Sequence, residues 1–391
     1  MAFETPQQLK FLSELYVADA PDAVFLTEYP SSNSTETIFR NDARFIIHDP
    51  FPPPPRELLT SLGPHHLMCC WGPHVPVTSQ IAPPPILLEH WERVFGDGGR
   101  PNWTEFSNDD HFVTLFPHQS LKPDQQVIEP TINYELHSKE VIEKIDCPQA
   151  DVLDEIRFPC IVKLSHGYAG LGNFLLRNEA DQKSMEEELA KHWPTATLVV
   201  NSIVEDIESD YGVQFYLRRD GSVVWLGLTE QQFNENNRWC GGIYSSRLQT
   251  SLMEPFTEIV QATADYLHGQ GCFGVVGVDI LRDVHGNCFL VDVNPRLTGI
   301  TPFLMASRIF QQQSSFDEGI YQASFRFNGS LDRLIRQAES LSNVHAFYDL
   351  QVLVLSAFEE KGDDPKTICH LSVSSKQQSI NREILNQLAK Y

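Results

Sequence analysis

Two apolar runs in the second half of this chain, "FGVVGVDILRD" and "CFLVDVNPR", are separated only by "VHGN". Each has the length and alternation of a strand, and so short a connection predicts an antiparallel pair. What makes the pair restrictive is a carboxylate inside each run: Asp279 follows "GVVGV" and Asp292 follows "CFLV". Asp292 and Asn294 are two positions apart and therefore share one face of the sheet. An antiparallel neighbour brings Asp279 beside them, so three hard oxygen donors converge. Polar flanks would mark an ordinary surface hairpin, and these flanks are apolar. A buried, uncompensated carboxylate costs roughly several kcal/mol. The arrangement thus calls for a cation, and the oxygen set suits Mg²⁺, which leaves positions for phosphate and water.

The chain has 391 residues, 41% of them hydrophobic, which predicts two or three domains. Its 52 acidic and 29 basic residues give a net charge of −23, a field that repels DNA and RNA. No apolar run approaches the ~20 residues that span a bilayer. "MAFETPQQLKFLSEL" carries acids early and lacks a basic-then-apolar order, so neither secretion nor a membrane is expected, and a cytoplasmic location is. Eight scattered cysteines without zinc spacing read as reduced structural thiols.

The first ~120 residues are irregular, with proline-rich joints at "DPFPPPPREL" and "IAPPPILLEH". "DAVFLTEY", "ARFIIHD" and "HLMCCWG" read as buried strands of an α/β layer, and "NYELHSKEVIEKI" as one amphipathic helix. From Phe158 the pattern sharpens: "FPCIVKLS" and "FLLRN" are strands around the glycine-rich turn "HGYAGLGNF". A charged helix ends before Pro194, further strands follow with a turn at Asp220-Gly221, and "LMEPFTEIVQATADYLHGQG" is a helix stopped by glycines. The tail from about Phe310 mixes helices with the strand "LQVLVLSAF".

Two further stretches bear on chemistry. In "FPCIVKLSHGYAGLGNF", Lys163 near a strand end and the glycines 167, 170 and 172 can set a cation and bare N–H groups against phosphate oxygens. No Gly-Lys-Ser/Thr closes this loop and it leads into a strand, so it is neither a P-loop nor a dinucleotide fingerprint. In "VNSIVEDIESDYGVQFYL", backbone groups can meet an adenine edge, with Glu205, Glu208 and Asp210 as carboxylates for ribose hydroxyls.

In this order, the three stretches resemble the ATP-grasp superfamily, over roughly residues 133–310. The resemblance implies an α/β (α+β) ATP-grasp fold with a preceding N-terminal α/β domain. The expected boundaries are 1–130 for that domain, 131–205 for the lid and nucleotide subdomain, and 206–391 for the catalytic subdomain with its C-terminal extension. It implies ATP held by Lys139, Lys163, Gly167, Gly170, Gly172, Glu205, Ile207 and Asp210. Asp279, Asp292 and Asn294 become ligands of Mg²⁺, or of Mn²⁺ in its place, and Arg296 and Lys163 become the catalytic cations. Lys139 stands closer to Lys163 than the family's usual first lysine, and Lys144 fits less well. Ligases for D-alanine pairs carry an arginine two residues before the first metal acid, where this chain has Gly277.

The implied activity is a carboxylate–amine ligase: ATP phosphorylates a carboxylate, and an amine displaces phosphate from the acylphosphate. The implied partners are small-molecule carboxylate and amine substrates, and a homodimer is compatible with them. Gln231, Arg238 and Arg247 are candidates to hold a substrate, with Trp239 as a wall. A kinase- or carboxylase-like ATP-grasp enzyme and a non-catalytic nucleotide-binding regulator are the alternatives. The intact set of Lys163, Asp279, Asp292, Asn294 and Arg296 argues against the regulator.

Overall fold

A computed structural model describes residues 3–4, 9–32, 37–48, 56–167, 172–235, 238–313, 316–345 and 349–390. Three sheets order them. Ala23–Leu26 (β1), Val77–Thr78 (β2) and His111–Thr114 (β3) form a parallel sheet with β1 in the centre. Val152–Leu153 (β4), Cys160–Leu164 (β5), Asn173–Leu176 (β6) and Leu198–Ser202 (β7) form an antiparallel sheet in the order β4-β7-β5-β6.

The largest sheet is antiparallel throughout. Its strands are Ile207–Leu217 (β8), Val223–Phe233 (β9), Trp239–Ser245 (β10), Gly274–Asp283 (β11), Cys288–Asn294 (β12), Glu318–Phe327 (β13), Gln351–Glu360 (β14) and Lys366–Ser375 (β15). Their order is β12-β11-β8-β9-β10-β13-β15-β14. Alternation assigns the faces. Tyr211, Val213 and Phe215 of β8 and Val276, Val278 and Ile280 of β11 pack with Phe256, Ile259 and Val260 of the helix Ser246–Gly269. The alternate positions, among them Asp210, Asp279, Asp292 and Asn294, are left for the opposite face.

The hairpin expected from "FGVVGVDILRD" and "CFLVDVNPR" is β11–β12, and its turn is closed by Asp283, whose carboxylate accepts from the His285 and Asn287 amides. "DAVFLTEY" contains β1 as expected. "HLMCCWG" is instead the end of the helix Gly63–Met68 followed by a turn in which Cys70 has φ 67°. Among its described residues, 43–48, "ARFIIHD" forms no strand; Phe45 has φ 57°, and His48 bridges to Gly167. The first run is buried throughout and the second at Phe45 and Ile47, but a short apolar run does not distinguish a strand from a buried helix end or loop.

"NYELHSKEVIEKI" also departs from expectation. The helix Pro130–Leu136 begins with proline in its first turn and Glu129 accepting from the Ile132 amide, and it stops at His137. Ser138 is extended (ψ 136°) and caps a separate 3₁₀ segment, Lys139–Lys144. The interruption matters, because it turns Lys139 toward the large sheet.

The eight cysteines are free thiols. Among the described residues no helix is long and apolar enough to cross a membrane.

Candidate active site

The β11–β12 register pairs Asp279 directly with Asp292, and Gly277 with Asn294. Directly opposed like charges destabilise a ladder unless something neutralises them. Between Asp279 and Ile280 the register shifts, so that Ile280 pairs with Leu290 and Val291 is the extra residue of a bulge. The bulge keeps Leu290 and Val293 in the helix-side core while Asp292 faces the site. It also leaves the Val291 carbonyl available, and the Lys163 ammonium donates to it at 2.7 Å.

Lys139 supplies the second cation. Its Nζ lies 2.5 Å and 2.6 Å from the two carboxylate oxygens of Asp292. Two contacts hold the 3₁₀ segment there: Lys139 N donates to Ser165 O at 2.9 Å, and Ser138 Oγ meets Ser165 Oγ at 2.8 Å. Residues 138–139 are thereby fastened just beyond Lys163 on β5, so two segments present their lysines to one carboxylate strand.

The three acids respond differently. Burial pushes Asp279 well above the usual aspartate range, and repulsion from Asp292 and Asp210 adds to it. Burial also acts on Asp292, but the charges of Lys139 and then Lys163 outweigh it and hold that carboxylate below its ordinary value. Asp210 is pushed up to about 6 by burial, against the hydrogen bond it receives from Gln231. Burial also depresses Lys163, with Asp292 opposing.

Gln231 was expected to meet a substrate carboxylate. It instead bridges the acids, its Nε2 donating to Asp279 at 2.9 Å and to Asp210 at 3.1 Å. Asp210, expected at a ribose, belongs to this acid cluster. Glu208 is exposed and paired with Arg282 at 2.6 Å. Glu205 and Ile207 lie exposed at the turn into β8, clear of the cluster.

Past β12, Arg296 is nearly enclosed, its guanidinium donating to Leu297 O at 3.0 Å and Asn294 Oδ1 at 3.2 Å. The Phe116 ring lies 4.7 Å from the guanidinium and 5.8 Å from Tyr29. Both aromatics sit just beyond strands of the parallel sheet, the edge where such sheets gather ligands. Sequence reasoning missed them because no local motif ties residues 29 and 116 to residue 296.

Gly277 has a steric explanation. A Cβ there would lie 2.5 Å from Gln214 Nε2 and 2.7 Å from Thr298 Cγ2, so the space an arginine would need is already filled. Gly172, at φ +81°, ends the glycine loop where a Cβ would strike the Leu164 side chain. Gly167 is bridged to His48, while Gly170 and the centre of the glycine-rich turn lie outside the described residues.

Arg238 and Arg247 are not drawn into the cluster. Arg238 is exposed at the β9–β10 turn, closing it with Asn234 through N–H···O contacts of 2.9 and 3.0 Å. Arg247 is exposed in the first turn of the helix Ser246–Gly269, with Glu318 as a charged neighbour. Trp239 packs on Gly299 and Tyr321.

As a donor set, Asp279, Asp292 and the Asn294 amide oxygen fit a hard divalent cation. Among the described residues no three His, Cys, Asp or Glu side chains are already gathered as a metal site, and Lys139 holds the Asp292 oxygens. Lys139 and Lys163 offset part of the negative charge of the acid cluster.

A family model described as L-aspartate–L-methionine ligase, ATP grasp, matches residues 139–294, from Lys139 to Asn294. Among curated proteins, D-alanine–D-alanine ligase of Francisella tularensis subsp. holarctica (strain LVS) is 26% identical over 220 residues, covering 52% of this chain and 66% of the relative. The enzyme of subsp. novicida (strain U112) matches to the same extent. The chain thus spans just under two thirds of the length of these relatives. A solved N5-carboxyaminoimidazole ribonucleotide synthetase in complex with ADP shares the fold, with TM-score 0.52, 15% identity, and 80% of this chain and 89% of that one covered. The paired acids Asp279 and Asp292 and the two lysines Lys139 and Lys163 all fall within residues 139–294, the part of the chain that is similar to this ATP-grasp family.

Proposed function

We propose that this protein is an ATP-dependent carboxylate–amine ligase that forms an amide through an acylphosphate and releases ADP and phosphate. One observation carries the reading: Lys139, Lys163 and Arg296 converge on the β12 strand that bears Asp292 and Asn294, opposite Asp279. The relatives named as D-alanine–D-alanine ligases and the matching ligase model support joining small amino acids, one as carboxylate and one as amine. We assign the parallel-sheet unit, residues 1–130, to substrate contact, residues 131–205 to nucleotide covering, and 206–391 to catalysis. A cytoplasmic setting and a homodimer remain part of the proposal.

ATP is the co-substrate. Lys139 and Lys163 are ammoniums suited to its phosphate oxygens, with Gly167, Gly170, Gly172, Glu205 and Ile207 along the nucleotide. Asp279, Asp292 and Asn294 would hold Mg²⁺, or Mn²⁺ in its place, which when bound neutralises phosphate charge and polarises the transferred phosphoryl group. Arg296 is aimed at charge that develops on the phosphoryl and then on the tetrahedral centre, where a fixed cation acts in a dry site. The Phe116 ring over its guanidinium keeps water away, which an acylphosphate requires.

The test is an oxygen-18 transfer. With ¹⁸O in the substrate carboxylate, a ligase working through an acylphosphate must deliver one labelled oxygen to the released phosphate. Unlabelled phosphate accompanying an amide product would eliminate the mechanism, and a stable phosphorylated product would indicate a kinase.

A further inference from the structure

His137 follows the helix Pro130–Leu136 and stands two residues before Lys139. Its Nδ1 lies 2.7 Å from the Asn133 carbonyl oxygen. A carbonyl only accepts, so Nδ1 carries the proton and Nε2 presents a lone pair. That Nε2 is buried with no hydrogen-bond partner among the described residues. Burial, and after it the charge of Arg296, holds the imidazole well below its ordinary range, so it is a neutral acceptor.

A second buried atom lacks a partner nearby. Arg296 is 9% exposed and uses its outer nitrogens on Leu297 and Asn294, but its Nε–H donates to nothing among the described residues. The two orphans share a neighbour. The Phe116 ring lies 4.5 Å from the His137 ring and 4.7 Å from the Arg296 guanidinium, so both stand against the same side chain. Buried polar atoms without partners are rare and costly, and a pair of them of opposite sense, one donor and one acceptor, describes a ligand.

Electrostatics narrows the ligand further. A simple amine would bring a cation against Arg296 and Lys139 and be repelled. A plain carboxylate would satisfy Arg296 and leave Nε2 empty. A zwitterion satisfies both, its carboxylate on the guanidinium and its ammonium donating to the imidazole. We propose that His137 Nε2 receives the α-ammonium group of an amino acid whose carboxylate lies at Arg296. His137 then selects amino acids over plain carboxylic acids as the substrate to be phosphorylated.

This assignment rests on the ligase reading, and one assay separates the two. Hydroxamate formation with hydroxylamine as the amine is measured for a panel of L-amino acids, each beside its des-amino acid, at saturating MgATP. The wild type should favour the amino acid by about 100-fold or more, the discrimination expected of a site built to pair a polar group. His137→Phe keeps an aromatic ring against Phe116 and should lower that ratio by about tenfold or more, through KM for the amino acid. Its rate with the des-amino acid and its affinity for a non-hydrolysable MgATP analogue should hold. His137→Gln, which retains an acceptor oxygen, should restore part of the ratio. A wild-type ratio near one, or a ratio unchanged in both variants as for a site that holds a buried water only, overturns the assignment while the ligase stands. Absence of hydroxamate with every acid overturns the ligase reading and this assignment with it. Should His137→Phe fail to fold, the wild-type ratio and the Gln variant decide.

Discussion

Both carboxylate oxygens of Asp292 are taken by the ammonium of Lys139, at 2.5 and 2.6 Å, although 153 residues separate the two in sequence. The bond makes Lys139 part of the acid cluster's charge balance as well as a candidate phosphate ligand. Lys139→Ala should therefore destabilise the nucleotide-free protein by about 3 kcal/mol, because it strands a largely buried carboxylate. Urea denaturation of both single variants and of Lys139→Ala with Asp292→Asn checks this. The double variant should be more stable than Lys139→Ala alone, and simple additivity would refute the coupling.

Asp279 has no such partner. Its carboxylate is raised by burial and by the neighbouring acids, with Lys139 and Lys163 opposing, and among the described residues its hydrogen-bond donor is the Gln231 amide. Asp279→Asn should abolish turnover yet leave the nucleotide-free protein as stable as the wild type or more so, since it removes one of two opposed charges. Asp292→Ala should behave otherwise, losing both activity and stability, because Lys139 is then left unpaired. Thermal melts of the two variants beside an ADP-release assay distinguish them.

Arg296→Lys keeps a positive charge but loses the planar set of donors that reaches Leu297 and Asn294 together. It should retain affinity for a MgATP analogue and lose about 10²-fold or more in kcat, the usual size of a lost transition-state donor. Unchanged kcat would remove Arg296 from the chemistry.

Gly277→Ala places a methyl group against Gln214 and Thr298 at distances real Cβ atoms do not adopt. Gln214 Oε1 also accepts from Thr301 Oγ1 at 2.8 Å, so the disturbance passes to the turn after Arg296. A loss of about 1–3 kcal/mol is expected from the overpacking. Chemical denaturation measures it, and a neutral outcome would show that Gln214 can move aside.

Glu28 gives a pH-dependent signature away from the cluster. It is 1% exposed, accepts from the Gln80 amide at 2.6 Å, and burial pushes its carboxyl up to about 8. The folded state therefore binds this proton more tightly than the unfolded chain. The stability it confers is complete below the unfolded value of about 4.5 and declines as pH rises toward about 8. Glu28→Gln should flatten that decline and exceed the wild type at pH 8 by on the order of a few kcal/mol. Parallel pH profiles in the two proteins would exclude an ionisable, buried Glu28.

Sequence alone determined the β11–β12 hairpin, its two inward acids and the oxygen donor beside them, because strand alternation and a short turn are local rules. It also determined that Lys163 sits near the end of a strand before a glycine turn. Tertiary structure decided the rest. The bulge at Val291 depends on how two strands settle into register, and the break at Ser138, which sends Lys139 to Asp292, depends on Ser165 from another sheet. Gln231 joins Asp210 to Asp279 across neighbouring strands, so a side chain expected at substrate is spent inside the cluster. Arg238 and Arg247 share the chain segment of Gln231 but not its direction, and nearness in sequence misplaced them. Phe116, with Tyr29 against it, meets Arg296 only because two units of the fold pack together, and packing between distant segments leaves no periodicity to read.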